Sequence, residues 1–422
     1  MTILYIECGS TNRSSFNTGI QRVVRKIIEN KASIEELENV ESCILVEYVN
    51  NDFYLIDEKK ESYVTGIRGF VFLTLKKLFQ ILKFLFPKFV TNLLKKIYLG
   101  IVFVLNFFNH LPESNNLSLV EYQNKHADKK HVLLLLDASW DIRMLDPVGK
   151  FKENGGQVCA VQYDLIPFNY PEVVEEHTRN IYTKWWIKAI HHIDGVICIS
   201  DAVRQDFYAW QMKVKLLGIK KEAVDFFYLG ADFLIDDPIV QVTQGDTPFF
   251  VIVGSIEPRK NHALVLEAFE MIWEKGVDVN LVICYGNSWM SDNLIKKMMK
   301  HSLINKNLFL LNKVSDKDLI WLYQKCTAAI MASYAEGFGL PIIEASQCGA
   351  NVICNDIPVF REIGGDNVVY FELNNAISLA TTIIDSLGDV SLNKKDKENK
   401  SWITWLESAK MLAIKTMQIT GN

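Results

Sequence analysis

Short apolar runs recur along the chain. Each ends in a polar loop, and several are followed by apolar residues at helical spacing. Thr2 to Cys8 is the first, followed by Gly9-Ser10-Thr11-Asn12-Arg13 and by Val23, Ile27 and Ile28, a stripe that predicts a helix from near Gly19. His131 to Asp137, Gln157 to Gln162 and Gly195 to Ser200 repeat the run, with Ser200-Asp201 suited to start the next helix. A second series follows: Phe249 to Val253, Asn280 to Tyr285, Asn307 to Leu311, Ala328 to Ala332 and Asn351 to Cys354. Continuous rather than alternating apolar runs predict strands buried on both faces, as in parallel sheets. Strand, polar loop and helix in that order are the first half of a βαβ unit, so the pattern predicts an α/β chain with two doubly wound sheets.

The polar, punctuated stretch from Asp236-Asp237-Pro238 to Asp246-Thr247-Pro248 reads as a linker. It separates an N-terminal domain, 1–235, from a C-terminal one, 246–395. Residues 396–422 form a last amphipathic helix bearing Trp402, Trp405, Leu406, Ala409 and Leu412, approached by the charged segment 389–400. A length of 422 residues and a hydrophobic fraction of 49% suit two domains with sizeable cores. A net charge of −5 argues against general nucleic-acid binding. The eight cysteines are scattered without a CxxC pair, which disfavours a zinc site or disulfide framework and suits a reducing compartment. Met1-Thr-Ile-Leu-Tyr-Ile-Glu reads as a buried strand, without the charged start of a signal peptide.

One segment departs from this plan. Residues 66–112 carry Arg68, Lys76, Lys77, Lys83, Lys88, Lys95 and Lys96 and no acid, interleaved with Phe, Leu and Ile. The lysines interrupt the apolar runs before they could span a bilayer. Basic amphipathic helices of this kind suit an anionic membrane surface, and the alternative is a pair of helices packed on the core.

Candidate chemistry concentrates in Ala335-Glu336-Gly337-Phe338-Gly339-Leu340-Pro341-Ile342-Ile343-Glu344-Ala345. Two glycines around one aromatic, then a proline and an apolar run closing near Cys348-Gly349, predict a glycine loop feeding a short helix. A helix N-terminus presents unpaired N–H groups that suit a phosphate, and glycines let a ligand approach the backbone. The plainer reading is a strand-to-helix turn whose glycines serve packing. Arg259 and Lys260 lie in the loop after the Phe249 strand, where a cation can neutralise a diphosphate. Asp164 sits at the carboxyl end of the Gln157 strand, where open α/β sheets bind ligands, although a capping aspartate reads equally from the local pattern. Gly19 alone reads as a packing glycine, and Ser200 as a helix cap.

Glu336, seven residues and Glu344 around Gly-Phe-Gly-Leu-Pro, together with Glu257-Pro258-Arg259-Lys260-Asn261, closely resemble the retaining nucleotide-sugar glycosyltransferases of family 4. The resemblance implies the GT-B architecture, two facing Rossmann-like domains with a C-terminal crossover helix. It implies a hexose, best matched by mannose from GDP-mannose, moved with retention to a lipid-linked glycan in surface polysaccharide (O-antigen, capsule or exopolysaccharide) assembly. It implies neither metal nor resident cofactor, the nucleotide diphosphate sugar being a co-substrate. Glu336 then contacts the donor sugar near its reacting carbon, and Asp164, in a segment that resembles the acceptor side, joins it as a catalytic candidate. Gly19, Arg259, Lys260, Lys313, Val314, Gly337, Phe338, Gly339, Leu340 and Glu344 become donor-binding candidates: Gly19 in a closing loop, Lys313-Val314 near the base, and Glu344 on the ribose. Many relatives carry histidine where Tyr163 stands, and arginine where Ser255 stands. The implied place of work is the cytoplasmic membrane face, as a peripheral protein. A sugar-nucleotide epimerase of the same architecture, and a non-catalytic sugar-nucleotide binding subunit, are the alternatives.

Overall fold

The computed structural model describes residues 1–14, 19–56, 117–214, 223–232, 247–388 and 402–421. The basic segment 66–112, the linker up to 246 and the charged segment 389–400 therefore lie outside the described residues. The chain divides into two compact units, Met1–Val24 with Glu35–Cys159, and Arg25–Ile34 with Ala160–Gly421.

The first sheet has seven strands: β1 (Thr2–Glu7), β2 (Val40–Val49), β3 (Asp52–Leu55), β4 (Lys130–Leu135), β5 (Gln157–Gln162), β6 (Gly195–Cys198) and β7 (Val224–Phe226), in the order β3-β2-β1-β4-β5-β6-β7. β1 runs parallel to both β2 and β4, and every residue of it is buried, as its uninterrupted apolar run predicts. β3 turns back antiparallel on β2. Asn50 and Asn51 make that turn at φ +50° and +65°, the left-handed pair that a two-residue hairpin requires and that asparagine tolerates.

The second sheet has six strands: β8 (Phe249–Val253), β9 (Asn280–Tyr285), β10 (Leu308–Asn312), β11 (Ala328–Met331), β12 (Val352–Asn355) and β13 (Val369–Phe371), in the order β10-β9-β8-β11-β12-β13. Each of its pairings is parallel. Its order reverses between β8 and β11, the place where open α/β sheets open a ligand crevice at their carboxyl ends. The core on its flanks joins Phe250, Ile283 and Ile330 to Val265, Phe269 and Ile272 of the helix His262–Glu274.

The last helix runs from Trp405 to Ile419 and packs on β6 and β7, so the chain ends by crossing back to the first sheet. It begins three residues later than the apolar stripe suggests. Thr404 accepts from Glu407 N, and Glu407 in turn accepts from Thr404 N at 2.7 Å, closing a capping box that sets the boundary. Trp402 stays outside, its indole N–H donating to Leu229 O at 2.7 Å. None of the eight cysteines is in a disulfide, and seven are buried. Among the described residues, no helix is long and apolar enough to cross a membrane.

The first unit buries two carboxyl groups at the carboxyl edge of its sheet. Glu7, 1% exposed, accepts from Gly9 N at 3.0 Å and from Ser139 Oγ at 3.3 Å. Asp137 accepts from Thr11 Oγ1 at 3.0 Å and from Ala138 N at 2.7 Å. Burial first, and the Asp137 charge second, push the Glu7 carboxyl from 4.5 up to about 8. The folded chain thus keeps a proton that the unfolded chain releases near pH 4.5. Stability is fullest below that pH and falls as pH rises toward 8, by up to about 1.4 kcal/mol per pH unit. Glu7→Gln keeps an acceptor oxygen but cannot ionise. Denaturation midpoints between pH 4.5 and 8.5 should therefore fall less steeply for the variant; equal slopes would rule out this assignment.

Candidate active site

The apolar strand β11 delivers the loop after it to the crevice, and its parallel neighbour β8 delivers the Ser255–Asn261 loop beside it. The helix that follows the first loop runs Leu340–Gln347, with Gly339 as N-cap at φ +103° and Pro341 in its first turn. That φ is open to glycine and strained for other residues, so the loop glycine is here conformational. Gly349, at φ +81°, ends the helix as expected.

The two loops are tied to each other by charge. Glu336 receives a salt bridge from Lys260 Nζ through Oε1 and one of 2.8 Å from Arg259 Nη1 through Oε2. Arg259 also donates to the Ala335 carbonyl at 3.1 Å, and its own carbonyl accepts from Tyr334 N at 3.0 Å. Behind it, Glu257 takes Arg259 Nη2 at 3.0 Å and Ser255 Oγ at 2.7 Å. Ser255 therefore supports the glutamate that holds Arg259, and Arg259 is the second cation on Glu336.

Burial alone would raise the Glu336 pKa, but Arg259 and then Lys260 overcome it and hold the carboxyl down at about 2. The same contacts work in reverse on Arg259: burial opposes its charge, and Glu336, Glu257 and Asp164 together raise its pKa. Asp164 is pushed up, by burial first and by Glu336 among other charges, while Arg259 pulls it down. Its Oδ1 accepts from Ile166 N at 3.0 Å, an Asx-type turn just before the short helix Ile166–Asn169, whose N-cap position is Leu165. Asp164, Arg259, Lys260, Glu336 and Gly337 are thus one cluster: a β-carbon on Gly337 would lie 3.2 Å from Asp164 Cβ.

The remaining candidates take other places. Phe338 is 3% exposed, its ring centroid 6.3 Å from that of Tyr228 and 6.0 Å from that of Trp402. Glu344, 2% exposed, sits one turn into the helix, and its charge, after burial, raises Tyr323 and Cys348. Lys313 is exposed at the end of β10 with φ +58°, and Val314 beside it is half-buried. Gly19 opens the helix Gly19–Glu29 in the first unit. No described atom lies within 4 Å of where its β-carbon would be, so packing does not require a glycine there.

Three contributors escape a reading of local pattern. Glu257 looks like a solvated charge yet is buried. His262 lines the same pocket as Lys260, Glu336 and Ser333; it is 1% exposed, and neither ring nitrogen has a hydrogen-bond partner. Burial, and then Lys260, lower its pKa to about 3, so the ring is neutral. Ser200 does cap its helix, but it also bonds Gly337, across 137 residues of sequence.

Residues 236–401 match the family described as glycosyl transferases group 1. The chain carries a group 1 glycosyltransferase domain. Escherichia coli serotype-specific mannosyltransferase WbdA is 34% identical over 298 residues, 67% of this chain and 37% of that protein. Salmonella typhimurium O-antigen chain mannosyltransferase RfbU is 26% identical over 54% of this chain and 60% of its own length. The chain thus matches 33–37% of the length of the WbdA relatives. Sucrose-phosphate synthase from Thermosynechococcus elongatus superposes over 100% of both chains with a TM-score of 0.59 at 13% identity. Anabaena HepE, solved with UDP and glucose, does so over 99% of this chain and 96% of its own with a TM-score of 0.55 at 14% identity. These likenesses establish the fold, two doubly wound sheets of the GT-B kind. Within the matched residues lie both loops of the cluster, 255–261 and 333–341.

Proposed function

We propose that this protein is a retaining hexosyltransferase that moves mannose from GDP-mannose to a lipid-linked glycan in O-antigen or related surface polysaccharide synthesis. The observation that carries the reading is the convergence of Lys260 and Arg259 on Glu336 beside the N-terminus of Leu340–Gln347. Two fixed cations and a row of backbone amides are what a departing diphosphate needs where the surroundings are too dry to solvate it. The choice of mannose is supported by the relatives, whose names specify mannosyltransfer.

In this reading the acceptor hydroxyl oxygen attacks the anomeric carbon on the face that the diphosphate leaves. The carbon–phosphate-oxygen bond breaks with its electron pair on the diphosphate, and the acceptor proton passes to the departing phosphate oxygen. Arg259, Lys260 and the amides of Phe338, Gly339 and Leu340 stabilise that negative charge without need of a metal. Glu336 faces the positive charge that grows at the anomeric carbon. Asp164 lies on the acceptor side, and Glu344 holds the ribose. Lys313 and Val314 lie by the base, and Gly19 belongs to the loop that closes on the diphosphate. A peripheral position on the inner membrane face is supported by the acid-free basic segment 66–112.

Transfer of labelled sugar from GDP-, UDP- and dTDP-sugars to membrane acceptors tests the reading. Wild-type protein should transfer from one donor only, best of all GDP-mannose, and Lys260→Ala should reduce the rate by at least about 100-fold. Donor turnover without acceptor would favour an epimerase, and binding without turnover a non-catalytic subunit. An unaffected Lys260→Ala would refute the site.

A further inference from the structure

The donor loop is gripped by charge at Glu336, and a second set of residues fixes the peptide next to it. Ser200 stands between β6 and the helix Asp201–Val214 and is fully buried. Its hydroxyl accepts from Val203 N at 3.2 Å, as a helix cap does. A hydroxyl that accepts still has its proton to give, and Ser200 Oγ donates it to the carbonyl of Gly337 at 2.8 Å. The helix start that follows the serine is itself held. Glu362, on the helix Pro358–Gly364, accepts from Asp201 N at 2.7 Å and from Ala202 N at 2.8 Å, one carboxylate oxygen on each. A carboxylate at a helix N-terminus is favoured by both the free amides and the helix dipole.

The bond to Gly337 has a consequence one atom further on. In a trans peptide the C=O and N–H point in opposite directions, and no peptide among the described residues is cis. Fixing the Gly337 carbonyl on Ser200 therefore turns the Phe338 N–H away from Ser200. That N–H has no acceptor among the described residues. Glycine at 337 makes the peptide easy to rotate, so something outside the loop must hold it.

We propose that Ser200, braced by Glu362, is a positioning residue for sugar transfer: it fixes the Gly337–Phe338 peptide so that the Phe338 amide is presented to the donor. The inference rests on the proposed function for its kinetic consequence, but its structural half can be measured without turnover. Glycine is tolerated at helix caps far better than alanine. A serine that only caps its helix would therefore leave Ser200→Gly near wild type and damage Ser200→Ala more. A positioning serine loses its bond to Gly337 in both variants.

The test compares wild type, Ser200→Ala and Ser200→Gly by thermal midpoint, by hydrogen exchange of the 336–340 peptide and by donor kcat/KM. The expected result is faster exchange at 336–340 in both variants and a fall of about tenfold or more in kcat/KM in both, with the smaller thermal loss for glycine. Wild-type exchange at 336–340 in Ser200→Gly would overturn the proposal whether or not transfer is detected. Wild-type kcat/KM in Ser200→Gly would overturn it as well. Absence of transfer by the wild type with every donor would instead count against the proposed function, leaving the exchange result to decide this one. Should neither serine variant fold, Glu362→Gln decides: it keeps one acceptor oxygen for the two amides, so 336–340 exchange should rise, and no rise overturns the proposal.

Discussion

Glu336→Gln should transfer sugar 100- to 1,000-fold more slowly than wild type, on the order expected when one preorganised charge is removed, and yet bind free GDP or UDP more tightly. The two halves have one cause. Both loop cations are engaged by the Glu336 carboxylate, Arg259 at 2.8 Å and Lys260 on the other oxygen. An arriving diphosphate must share or displace those contacts, and it meets a carboxylate that stays ionised down to about pH 2. Two like charges about 5 Å apart repel by roughly 3 kcal/mol at an effective dielectric of about 20. Glutamine keeps the shape and a hydrogen-bond acceptor but removes the charge, which frees Arg259 and Lys260 for phosphate. A gain of about tenfold in nucleotide affinity corresponds to about 1.4 kcal/mol, well within that repulsion. In the proposed reaction the rate moves the other way, because the positive charge that would develop at the anomeric carbon loses its anionic partner. Titration calorimetry with GDP and UDP, set beside initial transfer rates, checks both. Weaker nucleotide binding by the glutamine variant would show that Glu336 does not compete with the diphosphate, and an unchanged rate would remove it from catalysis.

The pieces of this site differ in how far sequence alone exposes them. The strands announced themselves through uninterrupted apolar runs, because parallel strands are buried on both faces; β1, β5, β8 and β9 fall within a residue of where those runs end. The glycine loop and its helix were legible because their geometry is local: Gly339 at φ +103°, Pro341 in the first turn and Gly349 at φ +81° each solve a problem set by their neighbours in sequence. The hairpin at Asn50-Asn51 is just as local but gives no apolar run, since β2 mixes Glu41, Glu47 and Tyr48 among its apolar residues. What sequence could not display is partnership across distance. Glu257 reads as one more surface carboxylate until Ser255 and Arg259 are seen closing on it. Glu362 reads as a helix-surface charge, and only its 161-residue reach to Asp201 N makes it a brace. Ser200 was legible as a cap because capping is encoded within three residues; its bond to Gly337 is encoded nowhere near it.

Gly337→Ala should abolish measurable transfer and lower stability by about 1–3 kcal/mol, the usual cost of overpacking. The argument is one of space rather than of backbone strain, because Gly337 is absent from the residues at positive φ. A β-carbon built there would stand 2.0 Å from the carbonyl oxygen of Tyr163 and 3.1 Å from its carbonyl carbon. Those are backbone atoms, which cannot rotate out of the way as a side-chain tip could. The segment that carries them is also pinned, by Tyr182 Oη donating to Asp164 O at 2.6 Å and by the Asp164 carboxylate accepting from Ile166 N at 3.0 Å. The loop must therefore yield instead, and on either side of Gly337 it carries Glu336, held by Arg259 and Lys260, and Phe338, packed between Tyr228 and Trp402. Any shift that relieves the clash displaces the Glu336 carboxylate and its two cations on one side or a buried ring on the other. Gly19→Ala is the matched control, since no described atom lies within 4 Å of its added methyl group. Its thermal midpoint should stay near wild type, whereas that of Gly337→Ala should fall by several degrees. Transfer and thermal stability of Gly337→Ala both at wild-type level would mean that the loop does not sit against Tyr163 in the working enzyme.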